Sequence, residues 1–289
     1  MAGTLLGVEG SESSGAVKRA CCLVGAAVLV ACPPLLAQGT ITHFDASFER
    51  ILFGNEPQAS LTVDGVADHL YETGWWYRVA GDVREFSLGS PASESYVFNE
   101  STLTWKDVGG RGLFDAREST LVYDTGLGGI VDEGYVDIAL SIYNRSSTTP
   151  LTIVLFNFVD FDLDADAGDD SARLAEFPSL IGVTDPSGTF AHYYAELGTA
   201  HYVRTQGSGD ASALLSDSDL DAFDSTGLPF GPGDFTGAYS WEPRLIPPLG
   251  TSSFRVYLAV NKSLHCGGYG LFCDGFEGGT ASPWSSTVP

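Results

Sequence analysis

Apolar and polar residues alternate with a period of two along most of the chain, the mark of strands with one face buried. Residues 135–143 show it most cleanly. Val136, Ile138, Leu140 and Ile142 fall on one side, and Asp137, Ala139 and Ser141 on the other. Residues 59–63 alternate and end at Asp64-Gly65, a hairpin-type signal. Residues 75–79 are closed by Gly81-Asp82, and 83–88 are expected to pair with them. Further strands are predicted at 101–108, 113–117, 119–124, 179–184, 189–194, 235–241 and 253–260. Asp185-Pro186-Ser187-Gly188 is the turn between 179–184 and 189–194. Only 210–223 has helical spacing, with Ala211, Leu214, Leu215 and Leu220 on one side. Abundant glycine and the lack of a second helix candidate predict an all-β fold, a large antiparallel β-sandwich with at most one or two short helices.

The stretch 151–170 is both the strongest strand signal and the densest run of acid. Leu151, Ile153, Leu155, Val159, Phe161 and Leu163 share a face that is apolar except at Asn157. The other face carries Val154, Phe156 and Phe158, then Asp160, Asp162, Asp164 and Asp166. This pattern predicts a core strand that emerges at a sheet edge or loop mouth. Across the polar turn 144–150 it is expected to form a hairpin with 135–143. Alternate carboxylates on a strand have α-carbons about 6.5–7 Å apart. They repel, and need either open water or a cation between them. Hard oxygen ligands suit Ca²⁺, and Asp169 and Asp170 just past Gly168 are placed to complete a site. The spacing is not that of an EF-hand, because Ala167 stands where its glycine belongs and Arg173 where its glutamate belongs. A solvated acidic loop, a Ca²⁺ site and catalytic carboxylates are the three readings. A second acidic cluster, Asp217, Asp219, Asp221 and Asp224, reads as solvated.

The N-terminus adds an address. Lys18-Arg19 precede an apolar run to Ala37 that Pro33-Pro34 interrupt, the order of a secretory signal rather than a membrane span. Cleavage after Ala37 gives a soluble product beginning at Gln38. Leu29-Val30-Ala31-Cys32 alternatively resembles a lipobox and gives a lipoprotein through Cys32. The organisation expected is therefore a signal peptide at 1–37, a sandwich at 38–261 and a glycine-rich tail at 262–289. Residues 1–37 hold two acids and two bases, so the rest keeps the whole net charge of −23. That excess of acid excludes nucleic acid and anionic membrane surfaces as partners. It suits a secreted or cell-surface protein. Outside the signal only Cys266 and Cys273 remain, and in an exported chain they are expected to form a disulfide around Gly267-Gly268-Tyr269-Gly270.

Trp75-Trp76-Tyr77-Arg78-Val79, with Arg84-Glu85-Phe86 behind it, resembles a pattern in a family of uncharacterised exported bacterial proteins. The likeness continues at 158–163 and 233–241. It implies an all-β exported domain and transfers no catalytic residue. The tail, Asp274-Gly275-Phe276-Glu277 followed by Trp284-Ser285, is similar to the Asp-Gly-Phe-Glu-Ser-Gly and Trp-Ser tails of many exported bacterial proteins. It departs from them at Gly278, where serine is usual, and at Pro283.

Candidate chemistry is sparse. Trp75, Trp76 and Tyr77 form either a sugar-stacking platform or ordinary packing, and neighbours on a strand must face opposite ways. Arg78 and Glu85 are placed to pair across the hairpin. His43, His69, His192, His201 and His265 are scattered, and no nucleophile elbow, zinc-protease helix or phosphate loop occurs. Three functions fit. One is an exported structural or binding module, Ca²⁺-stabilised, with a surface glycan or protein as partner. Another is a carbohydrate-binding or adhesive module. The third is a glycoside hydrolase-like enzyme, for which no pair of acids stands out by spacing.

Overall fold

The computed structural model describes residues 37–53, 56–124, 133–175, 179–207 and 209–261. The signal segment and the tail with Cys266 and Cys273 lie outside the described residues. In chain order the strands are β1 (Ala37–His43), β2 (Ala46–Phe53), β3 (Glu56–Thr62), β4 (Glu72–Val79), β5 (Phe86–Ser87), β6 (Ser93–Val97), β7 (Glu100–Trp105), β8 (Phe114–Asp124), β9 (Gly134–Asn144) and β10 (Leu151–Phe161). They continue with β11 (Asp170–Leu174), β12 (Leu180–Thr184), β13 (Phe190–Glu196) and β14 (Ala200–Thr205). After the six-residue helix α1 (Ala211–Ser216) come β15 (Phe230–Gly233), β16 (Phe235–Ser240), β17 (Arg244–Ile246) and β18 (Thr251–Val260).

These strands make two nine-stranded antiparallel sheets. One runs β1-β2-β3-β4-β10-β16-β14, with β5 added to β4 and β17 to β10. The other runs β15-β11-β12-β13-β18-β9-β8-β7-β6. Their inner faces bury one continuous core. Val136, Ile138, Leu140 and Ile142 of β9 have no solvent exposure, as their alternation demands. Leu155, Val159 and Phe161 meet them from the other sheet. The all-β sandwich expected from the alternation is the fold observed.

Three local expectations change. First, β9 and β10 are not a hairpin: β9 pairs with β8 and β18, β10 with β4, β16 and β17. Alternation fixes which face of a strand is buried but not which strand lies beside it, and the segment after Asn144 crosses from one sheet to the other instead of turning back. Asn144 builds the crossing. Its side-chain N–H donates to the carbonyls of Thr149, Ile246 and Pro247 at 2.9, 3.1 and 3.1 Å, and its Oδ1 accepts from Ser146 N at 3.0 Å. Second, 113–117 and 119–124 are one strand, β8, paired along its whole length with β9. Third, the helix stops at Ser216. Ala211 and Leu215 are buried, whereas Leu220 lies beyond it and is exposed.

The polar exception in β10, Asn157, is fully buried on the inner face. It donates to Gly74 O at 2.9 Å and accepts from Tyr193 Oη of the opposite sheet at 2.8 Å. The outer face of the first sheet is also covered. Trp76, Val154, Phe156 and Phe158 pack there against Ala211, Leu215 and Phe223. Both faces of β10 are thus enclosed, which explains its unbroken apolar run.

Candidate functional site

Alternation puts Asp160 on the covered outer face, one step beyond Phe158. In the ladder it stands between Glu72 of β4 and Thr236 of β16. It is fully buried. Gln206 Nε2 donates to its Oδ2 at 2.9 Å, and its Oδ1 is buried with no hydrogen-bond partner. The strand ends at Phe161. Asp164 and Ala165 then take left-handed backbone angles, φ 58° and 62°, and the two-residue period is lost.

That turn separates the acids that the strand pattern placed on one face. Asp164 swings toward the second sheet and accepts from Ser187 Oγ at 2.6 Å and Thr189 Oγ1 at 2.8 Å. Its backbone N–H donates to His69 Nδ1 at 3.1 Å. Because His69 accepts there and burial lowers its pKa, His69 is neutral, and its 3.7 Å approach to Asp164 Oδ1 is not an ion pair. Asp166 is exposed and accepts from Gly168 N at 3.2 Å. Asp169 lies against Asp185.

Asp160 and Asp162 stay together and gain a third acid that the sequence pattern did not single out. Asp234, at the β15–β16 corner, brings a carboxylate oxygen into a group whose members all lie within 4.8 Å of one another. Its Oδ1 is buried without a partner. Asp170 begins β11 opposite Gly233, the residue before Asp234. Asp170 is fully buried and neither of its carboxylate oxygens has a partner. Burial, then Asp162 and Asp234, push Asp160 up to about 9. Burial, then Asp234 and Asp68, raise Asp162 to about 6. Burial raises Asp170 to about 8, offset in part by the nearby Leu163 N–H, which does not reach hydrogen-bond geometry. Such carboxylates hold a proton or need a cation.

Asp210, also close, is not available. Its oxygens accept from Ala213 N and Gly207 N, both at 2.7 Å, and cap α1. Asp217, Asp219 and Asp221 also approach one another, but Asp217 and Asp219 are exposed, as a solvated cluster would be.

Trp75, Trp76 and Tyr77 offer no stacking surface. Their exposures are 4%, 1% and 2%. Trp75 and Tyr77 enter the core between the sheets, and Trp76 points into the outer cluster. The strand alternation split the trio, and each half found a cover. Arg78 Nη1 does pair with Glu85 Oε1, at 2.6 Å, and also donates to Asp221 O. Beside this pair lies an open groove of about 420 Å³ bordered by Arg78, Gly81, Thr152, Val154, Asp221 and Pro243.

No protein-family model and no curated protein matches the sequence. The fold is similar to part of a bacterial glucoamylase solved in complex with acarbose. The TM-score is 0.53 at 10% identity, covering 78% of this chain and 32% of that one. This chain therefore spans about a third of the glucoamylase's length. A candidate kojibiose phosphorylase from the human microbiome (TM-score 0.36, 7% identity, 78% of this chain and 31% of that one) overlays far more loosely. So does the protein HI1317 (TM-score 0.31, 8% identity, 80% and 98%). Among the described residues no helix is long and apolar enough to cross a membrane.

Proposed function

We propose that this chain is an exported β-sandwich module with a structural or binding role, and that its partner class is carbohydrate. The observation that supports this reading best is the correspondence of the sandwich to a 32% portion of the glucoamylase chain. A part of a carbohydrate-acting protein, rather than a whole one, is what the fold resembles. The acids favour binding over hydrolysis. A glycosidase needs two carboxylates on either side of an open cleft, roughly 5–9.5 Å apart. Here Asp160, at the centre of the acids that converge, is fully buried and has no exposed face to offer a substrate. The groove beside Arg78 is an open concavity on the same sheet, and it joins apolar Val154 to polar Arg78 and Asp221, the mixture found in small-molecule sites in general.

Retention on a panel of immobilised polysaccharides, with released reducing sugar measured alongside, tests this. Retention without sugar release is expected. Sugar release that Asp162→Asn abolishes replaces the reading with the hydrolase. Failure to bind any polysaccharide removes the carbohydrate partner.

A further inference from the structure

We propose that Asp160, Asp162 and Asp234, with Asp170 beside them, bind one Ca²⁺ ion that ties the end of β10 to the β15–β16 corner. This stands apart from the carbohydrate reading. Exposed acids relieve their repulsion by turning to water. Asp160 and Asp170 cannot, because both are fully buried. Oδ1 of Asp160, Oδ1 of Asp234 and both oxygens of Asp170 are buried with nothing donating to them. Asp160 is therefore more than one member of an acidic cluster. Its Oδ1 is an enclosed oxygen that nothing donates to, and the charged groups around it are further carboxylates.

The donor set selects the ion. The converging side chains are carboxylates alone, with no histidine or cysteine among them, which disfavours zinc. Ca²⁺ takes six to eight oxygens at about 2.3–2.6 Å, so oxygens on opposite sides of the ion are about 4.6–5.2 Å apart. One oxygen from each of the three carboxylates, all within 4.8 Å of one another, fits inside that shell. Mg²⁺, at about 2.0–2.1 Å, needs a tighter octahedron and sheds its waters reluctantly. That suits a fully buried ligand poorly. Gln206 holds two of the ligands in place. Its Nε2 donates to Asp160 Oδ2 at 2.9 Å and its backbone N–H to Asp234 O at 3.1 Å. The rival occupant is a shared proton.

The full chain, stripped with EGTA, is titrated with CaCl2 or MgCl2 by calorimetry and followed by thermal unfolding. One Ca²⁺ per chain is expected, raising Tm by several degrees, with Mg²⁺ giving less than half that shift. Asp160→Asn and Asp234→Asn keep the shape and remove a charge, so both are expected to fold in EGTA at least as well as the parent. Each is expected to weaken Ca²⁺ binding at least tenfold. Asp164→Ala and Asp217→Asn, outside the site, are expected to keep the parent affinity. Tb³⁺ luminescence on the unaltered chain, displaced by one equivalent of Ca²⁺, gives the stoichiometry without any variant. Equal shifts with Ca²⁺ and Mg²⁺, undiminished binding by Asp234→Asn, or no binding at all would overturn the proposal. The last result leaves the shared proton in its place.

Discussion

Glu118→Ala is expected to destabilise the protein by about 3–5 kcal/mol, the usual cost of breaking a buried ion pair from one side. Glu118 lies on β8 and has 1% exposure. It pairs with Arg50 of β2, on the opposite sheet, which is itself only 4% exposed. It also accepts from Trp75 Nε1 at 2.9 Å and from Thr120 Oγ1 at 3.0 Å. Removing the carboxylate strands a guanidinium, an indole N–H and a hydroxyl inside the sandwich. The pair itself need not be a net gain, since two ions taken from water lose much of what their attraction returns. The double variant Arg50→Met/Glu118→Leu is therefore expected to recover most of the loss. Urea unfolding of both variants checks this. A Glu118→Ala protein within about 1 kcal/mol of the parent would mean the network contributes little, whatever its geometry.

Trp76→Ala is expected to cost about 3–5 kcal/mol, as large-to-small changes of a buried tryptophan do. Its ring meets Phe158 edge to face, with centroids 6.1 Å apart, in the cluster under α1. The helix has six residues, less than two turns, too short to persist by its own backbone bonds. Its capping Asp210 and the burial of Ala211 and Leu215 hold it in place. A cavity at Trp76 should loosen this cover, so amide exchange is expected to rise at 211–216 before it rises in β9. A ligand platform would behave differently. There, alanine would leave stability unchanged and weaken binding alone. Unchanged stability with lost polysaccharide retention would thus restore Trp76 as a contact residue.

Glu118 of β8 meets Trp75 and the cluster under α1 meets Trp76, so the two variants probe what meets the two sides of one strand, β4. From its residues alone, neighbouring aromatics are known to face opposite ways. Whether either side meets water depends on segments far along the chain. Trp75 is closed in by β8 of the other sheet, and Trp76 by α1 and Phe223. The same limit applied to Asn157, visible as a polar break in an apolar face. Its partners, Gly74 O and Tyr193, are supplied by two other strands.

Side-chain alternation is a local property of the backbone, and so the sequence by itself determined the fold class, the inner face of β9 and both faces of β10. Turn chemistry, equally local, determined the β12–β13 hairpin at Asp185–Gly188 and the pairing of Arg78 with Glu85. Strand partnership is not local. Only the tertiary structure decided that β9 and β10 belong to different sheets, because either arrangement satisfies the same alternation. The acidic stretch shows the same division. Its charge and the emergence of β10 from the core were legible. The left-handed turn at Asp164 and Ala165, which sends Asp164 to Ser187 and leaves Asp160 and Asp162 behind, was not. Nor was the arrival of Asp234, more than seventy positions later in the chain, since it is brought there by the pairing of β16 with β10.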